Sequence, residues 1–441
     1  MIRIPTSPSR REFLRRIGLA AAATGLPPAF LLDPARAAAE PGVTRPTFVL
    51  LTVSDAGDPF NVNAPGSYVE GVFNNPVLAV SEVELGARVV ACAAPWADPS
   101  MARMLRRTAF IHHATFAVAH SEMSDVLTLR GALTGQGLSD DEELPSMLAQ
   151  ELAPSLGTLT GAPISLAGAQ LTSRGVSLPL TTPQQVAALY SGRDEGGDGL
   201  SLDRLATLRD QTLNRLYRQP GFGPAQRQFI DRYLTSREQA TAAGEALAEG
   251  FAGLAEPGSP EADGVSDQFA VALALFRFQI APVVVIRIPF GGDNHGDDQL
   301  IYEADQTQQG VALIADLDAR LHAGADPLVD RVTFANLNVF GRTLYGDASG
   351  RDHNATHHVM MLSGPGVAPS VIGGIGEGDE GIGALPIDRR SGQGLATGGD
   401  ISVSESLVAA GRTLARAAGI PDTRLDQRFR FGRAIDAALV G

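Results

Sequence analysis

Two unbroken apolar runs constrain this chain more than any other feature. Residues 47–53 read TFVLLTV and residues 282–288 read PVVVIRI. A strand with one wet face alternates apolar and polar residues. A run without alternation has both faces covered, as in a parallel sheet packed between helices. Each run stops in a loop: Ser54-Asp55-Ala56-Gly57-Asp58 after the first, Phe290-Gly291-Gly292-Asp293-Asn294-His295 after the second. Shorter strands are predicted at 109–112, 164–167, 331–337 and 357–362. Helices are predicted at 145–152, 184–190, 202–217, 224–250, 266–279, 299–323 and 403–418, from periodicity and from caps such as Thr182-Pro183. Strands alternating with helices give an α/β fold: a three-layer sandwich with a mostly parallel central sheet. Residues from about 183 to 280 read as a helical insertion within a single domain, 40–441. In such sheets ligands bind beyond the carboxyl ends of the strands.

The first 39 residues stand apart from that pattern. Arg10-Arg11 precedes Glu12-Phe13-Leu14-Arg15, then an apolar stretch from 17 to 32, then Ala35-Arg36-Ala37. Paired arginines, an apolar core and a small-x-small site, in this order, are the parts of a twin-arginine export signal. Gly18, Gly25, Pro27 and Pro28 interrupt the stretch, so no stable membrane span is expected. The mature protein is expected in the periplasm or secreted. Its one cysteine, Cys92, can close no internal disulfide.

The charged residues narrow the partners. The cations are all arginine and the net charge is −14, with no basic cluster beyond the signal, which argues against nucleic acid and anionic lipid. An anionic substrate would need local metal charge to hold it. The eight histidines favour strand ends. His295 follows the 282–288 run, and His353 sits beside Asp352. His357 and His358 open another strand, and His112, His113 and His120 flank a further one. Asp293-x-His295 and Asp352-His353 each pair a carboxylate with an imidazole, and Asp55 or Asp58 offers another carboxylate. Mixed Asp/His ligation suits zinc, with manganese and calcium as alternatives, and two such groups in one cleft suit a two-metal site. Asp293 reads equally well as the cap of the following helix. His357 and His358 point to opposite faces of a strand, so at most one joins a site. Ser121 precedes an expected helix, where it reads either as a nucleophile or as an N-cap.

The order of these motifs resembles a known family. Asn338-Val339-Phe340-Gly341-Arg342-Thr343 followed by Gly350-Arg351-Asp352-His353 is similar to the S-E-F-G-R-T … D-H signature of the twin-arginine-exported, sulfatase-like domains of unknown function, relatives of the alkaline phosphatase superfamily. Gly398-Gly399-Asp400-Ile401-Ser402-Val403 resembles the family's C-terminal segment, and 121–131 has the spacing of the sulfatase nucleophile loop. The resemblance implies an alkaline-phosphatase/sulfatase-like fold and a metal-dependent hydrolase of phosphate or sulfate esters, acting on a small-molecule or polysaccharide ester. Asp55, Asp293, His295, Asp352 and His353 would hold one or two divalent metals, with His357 or His358 completing the shell. Ser121 would attack, and Arg342 would pair with substrate oxygens. Three departures stand against this. Met123 and Asp125 replace the loop's Pro and Arg, so formylglycine is not expected. Val339 replaces the usual Glu, and Asp293 and His295 are two residues apart where superfamily enzymes space such a pair by four. Asp125 and Val339 favour the alternative, an exported binding or assembly protein that keeps the fold without the chemistry, while the retained Asp-His pairs favour the hydrolase.

Overall fold

The computed structural model describes residues 45–135, 142–166, 168–191, 250–251, 253–290, 292–345, 350–378 and 381–440. The export signal at 1–39 lies outside the described residues, as do the helix expected at 202–217 and nearly all of that at 224–250. Two compact units divide the chain, one around 183–262 and the other comprising Pro34–Thr182 with Asp263–Gly441. In the first, a helix over Pro183–Ser191 opens on its proline, and the Gln184 amide donates to Ala255 O at 2.7 Å.

The second unit is built on an eight-stranded sheet. In chain order its strands are β1 (Phe48–Ser54), β2 (Thr108–His113), β3 (Ile164–Leu166), β4 (Leu180–Thr181), β5 (Val283–Ile286), β6 (Val332–Asn338), β7 (His358–Ser363) and β8 (Ser370–Ile372). Across the sheet they run β8-β2-β7-β6-β1-β5-β3-β4. All neighbours are parallel except that β7 runs against both β6 and β2. Every residue of β1 is buried, as its unalternating sequence requires.

One face carries Val49, Leu51, Ile111, Val285, Leu337 and Met360 into a single core. That core includes residues of helices α1 (Met123–Leu127), α2 (Leu144–Leu156) and α5 (Ser406–Ala417). On the other face Phe48 stacks on Phe276 of α3 (Val265–Arg277), ring centroids 5.0 Å apart, and Trp96 meets Phe110 edge-on. Helix α4 (Ile301–His322) follows the loop after β5. The β6–β7 ladder is short, and Asn336 extends it with its side chain: the amide donates to Val359 O at 3.1 Å and its Oδ1 accepts from Met361 N.

The strand directions place the site. β1, β2, β5 and β6 all end at one edge of the sheet, and β7, being reversed, begins there. Loops 55–58, 114–122, 287–300 and 339–357 therefore gather at that edge.

Candidate metal centre

After β1 the two aspartates part company. Asp58 turns inward, fully buried, accepting from Phe60 N at 2.9 Å and from the Asn338 amide. Burial pushes its carboxyl up to about 7, against the pull of the Phe60 N–H, the Asn338 amide and the Arg342 charge. Asp55 is exposed, and it is its backbone carbonyl that meets the site, accepting from His120 Nδ1 at 2.6 Å.

That bond and one like it set the chemistry. His120 lies in a 3-10 turn, His120–Glu122, beyond β2. His353 lies in a two-residue ladder, pairing with Arg342. The His353 Nδ1 donates to Val118 O at 2.7 Å. A ring whose Nδ1–H is given to a carbonyl carries its lone pair on Nε2, which is the form that ligates metals, oriented by its outer hydrogen bond. The Asp293 carboxylate stands 3.8 Å from His120 Nε2. One ligand atom each from His120, Asp293 and His353 lie within 4.8 Å of one another.

His295 closes the group. Its Nδ1 donates to Asp352 Oδ1 at 2.7 Å, and its Nε2 lies 3.1 Å from Asp293 Oδ1 and 3.0 Å from His353 Nε2. Arg342 Nη1 lies 3.4 Å from His295 Nε2 and can donate to it, while the Nε2 lone pair of His353 faces the same nitrogen. Tetrahedral ligands at about 2.0–2.1 Å from zinc lie roughly 3.3 Å apart, so His120, Asp293 and His353, whose ligand atoms lie within 4.8 Å of one another, would have to draw closer to hold such an ion. The Phe340 ring stacks on His353 at 4.0 Å and meets His120 at 5.2 Å. Partial burial is the main reason the His353 pKa is lowered; Val118 O opposes it, and electrostatic interaction with Arg342, His120 and His295 adds to it. The shift favours the neutral imidazole, the form that ligates a metal.

Local sequence explains how Asp293 comes to be free. The side chain that takes the first-turn N–H groups of α4 is Asp297, three residues before the Leu300 N-cap, whose two oxygens accept from Tyr302 N at 3.2 Å and Glu303 N at 2.8 Å. Gly350, at φ +101°, lets the 350–353 segment lie against the loop after β5. A Cβ there would meet Asn294 O at 2.4 Å and His295 O at 2.6 Å. Beneath both segments Arg351 is ion-paired with Glu303, both side chains fully buried.

The other expected site residues fall as follows. Arg342 is fully buried, donating to Ala56 O, to Gly292 O at 3.1 Å, to Arg351 O at 3.4 Å and to Asp293 Oδ1 at 3.4 Å. Its Nη1 also lies 3.4 Å from His295 Nε2, so the guanidinium contacts the cluster as well as protein carbonyls. His357 has both ring nitrogens in hydrogen bonds, to Asn61 and His112. Asp352 stands behind His295, its side chain 79% exposed. Ser121 is exposed beside His120. The helix it leads into has five residues and no side-chain cap, so neither the N-cap role nor a strong helix-terminus field applies to it. His120 belongs to the cluster although no Asp adjoins it in sequence. Its only signal is its place beyond the end of β2.

No family model matches the chain, and no curated protein matches it. Among solved structures it is similar to the alkaline phosphatase from the Antarctic bacterium TAB5, at 9% identity and a TM-score of 0.30, over 74% of this chain and 95% of that one. It is similar to the PH0037 protein from Pyrococcus horikoshii, at 11% and 0.28, over 74% and 89%. A third likeness, to Ps i-CgsB, has 11% identity and a TM-score of 0.31, over 88% and 75%. Likenesses this weak carry no argument about activity. The α/β architecture rests on the chain's own sheet, and the site on its own residues.

Proposed function

We propose that this protein is an exported, metal-dependent hydrolase of phosphate or sulfate esters. One observation carries the reading: His120 and His353 each give Nδ1–H to a backbone carbonyl and turn Nε2 toward the Asp293 carboxylate. Groups that only cap or solvate a loop have no need of two imidazoles fixed in one tautomer around a carboxylate.

His120, Asp293 and His353 would hold a divalent ion, zinc by donor type, with His295 as a fourth ligand. Bound there, the ion would supply Lewis acidity toward an ester oxygen and lower the pKa of a nucleophile. Asp352 orients His295 through its Nδ1, and Phe340 holds the His353 ring in plane. Ser121, exposed and adjacent to His120 in sequence, would be the nucleophile. Export rests on Arg10-Arg11 and the residues that follow. Replacing both by lysine should leave the protein in the cytoplasm, and unchanged export would overturn that part.

A second reading, an exported binding or assembly protein, is favoured by the burial of Arg342. With that guanidinium turned inward, a bound ion would have to supply the positive charge for an anionic ester. Metal analysis of the purified mature protein, followed by turnover of aryl phosphate and aryl sulfate with zinc, manganese or calcium, separates the two. Stoichiometric metal with turnover supports the hydrolase. Absence of both leaves the binding protein.

A further inference from the structure

We propose that Arg342 is a positioning residue, held by a buried chain of Asn61, His357 and His112, and that this chain sets the geometry of the cluster. The inference rests on the metal-centre reading above and assigns Arg342 and His357 roles other than substrate and metal contact.

The chain can be followed proton by proton. His112 Nε2 lies 3.2 Å from Pro65 O and must donate to it, because a carbonyl only accepts. His112 Nδ1 is then a lone pair, and His357 Nε2, 3.0 Å away, must donate to it. His357 Nδ1 is left as an acceptor and takes a proton of the Asn61 amide at 3.2 Å. The other proton of that amide goes to Arg342 O at 3.1 Å, and Asn61 Oδ1 accepts from Arg342 N at 3.3 Å. Every donor has one acceptor and neither ring has a free nitrogen. Asn61, His112 and His357 are fully buried, where each of these bonds matters more than at a surface.

The chain ends on the backbone of Arg342, and the side chain of Arg342 takes over from there. Its Nη1 and Nη2 reach carbonyls of Ala56, Gly292 and Arg351, one in each of three loops at the sheet edge, and Nη2 also reaches Asp293. Ala56 adjoins Asp55, whose carbonyl orients His120. Gly292 adjoins Asp293, and Arg351 lies two residues before His353. One guanidinium thus ties together the segments that carry Asp293 and His353 and the one whose carbonyl orients His120, and its Nη1 also lies 3.4 Å from His295 Nε2. Gly341 allows the approach: a Cβ there would stand 2.1 Å from His357 O and 2.7 Å from Asn61 Nδ2.

The fold supplies its own control. His113 and His358, on the opposite face of the same strands, make a second buried pair with ring nitrogens 3.1 Å apart. His113 Nδ1 meets only its neighbour's carbonyl, Ala114 O, so this pair has no link to Arg342.

The test compares His357→Leu with His358→Leu, with Asn61→Ser as a milder break of the same chain. Two properties are read: Co²⁺ affinity with its visible spectrum, and solvent exchange of the Arg342 guanidinium N–H resonances in metal-free protein. Both leucine variants should lose thermal stability. His357→Leu and Asn61→Ser should also weaken Co²⁺ binding about tenfold, the low end of what orienting partners of metal ligands contribute, and speed guanidinium exchange. His358→Leu should keep both properties as in the wild type. The proposal is overturned if guanidinium exchange in His357→Leu and Asn61→Ser stays slow, or if His358→Leu changes it equally. If the wild type binds no Co²⁺, the metal reading fails, while the exchange result still decides the positioning role.

Discussion

Two groups of charged and polar side chains, Glu303 with Arg351 and His120 with Asp293, are built on opposite terms. Under the loops, Glu303 and Arg351 are fully buried. Glu303 Oε1 accepts from Asn63 and Asn75 at 3.0 Å each, and Oε2 pairs with Arg351 Nε and lies 3.4 Å from the Asn294 amide. Arg351 also donates to Thr343 O at 2.9 Å and Phe73 O at 2.8 Å. Above them, His120 and Asp293 are 40% and 56% exposed, and their facing atoms are acceptors with no donor between them. Buried charge must be saturated with partners, because its desolvation cost is otherwise unmet. Groups near water can be left with open lone pairs at little cost, which is the condition a metal ligand needs. The lower group holds the loops together so that the upper one can remain unsatisfied.

The largest effect expected from breaking this arrangement comes from below. Arg351→Met strands a buried Glu303 carboxylate and should cost about 3–5 kcal/mol. Urea unfolding measures it, and a loss under about 1 kcal/mol would mean that the pair is not what anchors the loops.

Acid acts on the buried side as well. Burial lowers His112 and His113 to about 4, and His357 and His358 also lie well below the usual imidazole value. Their folded-state pKa values are depressed, so the stability they confer is present above about 6.5 and is lost as the pH falls toward 4. Asp58 and Glu143 oppose this. Burial raises both to about 7, so their contribution grows as the pH falls through that value. The four imidazoles outnumber the two carboxyls, so unfolding takes up protons as the pH falls below about 6.5, and stability should drop with it. A flat melting temperature there would show that the buried histidines are not held neutral.

The upper group should behave the other way around. His120→Ala or Asp293→Ala should change the stability of chelator-treated protein by less than about 1 kcal/mol, since the residues are half-exposed. Zinc at a hundred times its Kd should raise wild-type stability by about 2.7 kcal/mol and do nothing for either variant. Equal zinc stabilisation in all three would place the metal elsewhere. The smallest structural effect is expected at Ser121. Ser121→Ala should stay within about 0.5 kcal/mol of wild type while abolishing ester turnover. Retained turnover would remove Ser121 from the reaction.

Much of this architecture can be read along the chain. The unbroken apolar runs became the adjacent central strands β1 and β5, and the expected strands at 109–112, 331–337 and 357–362 became β2, β6 and β7 within a residue or two. A period of two or 3.6 is a local property, so it survives in the sequence. The gathering of Asp293 and His353 follows from strand ends meeting at one edge, and that too has a local trace. The reversed direction of β7 has none, since a buried strand reads alike in both senses. Nor does anything near His120 announce that its Nδ1 will find Asp55 O, 65 residues away.

What the sequence determined by itself was therefore the α/β layering and the enrichment of acids and imidazoles at strand ends, because both depend on residue order over short spans. The tertiary structure alone decided which of them face one another. Asp297, not Asp293, takes the first-turn N–H groups of α4; His357 bonds to His112 and Asn61; and Arg342 turns inward to three carbonyls. Each choice is settled by burial and by partners distant in sequence, where an unsatisfied donor or acceptor costs more than any local preference can repay.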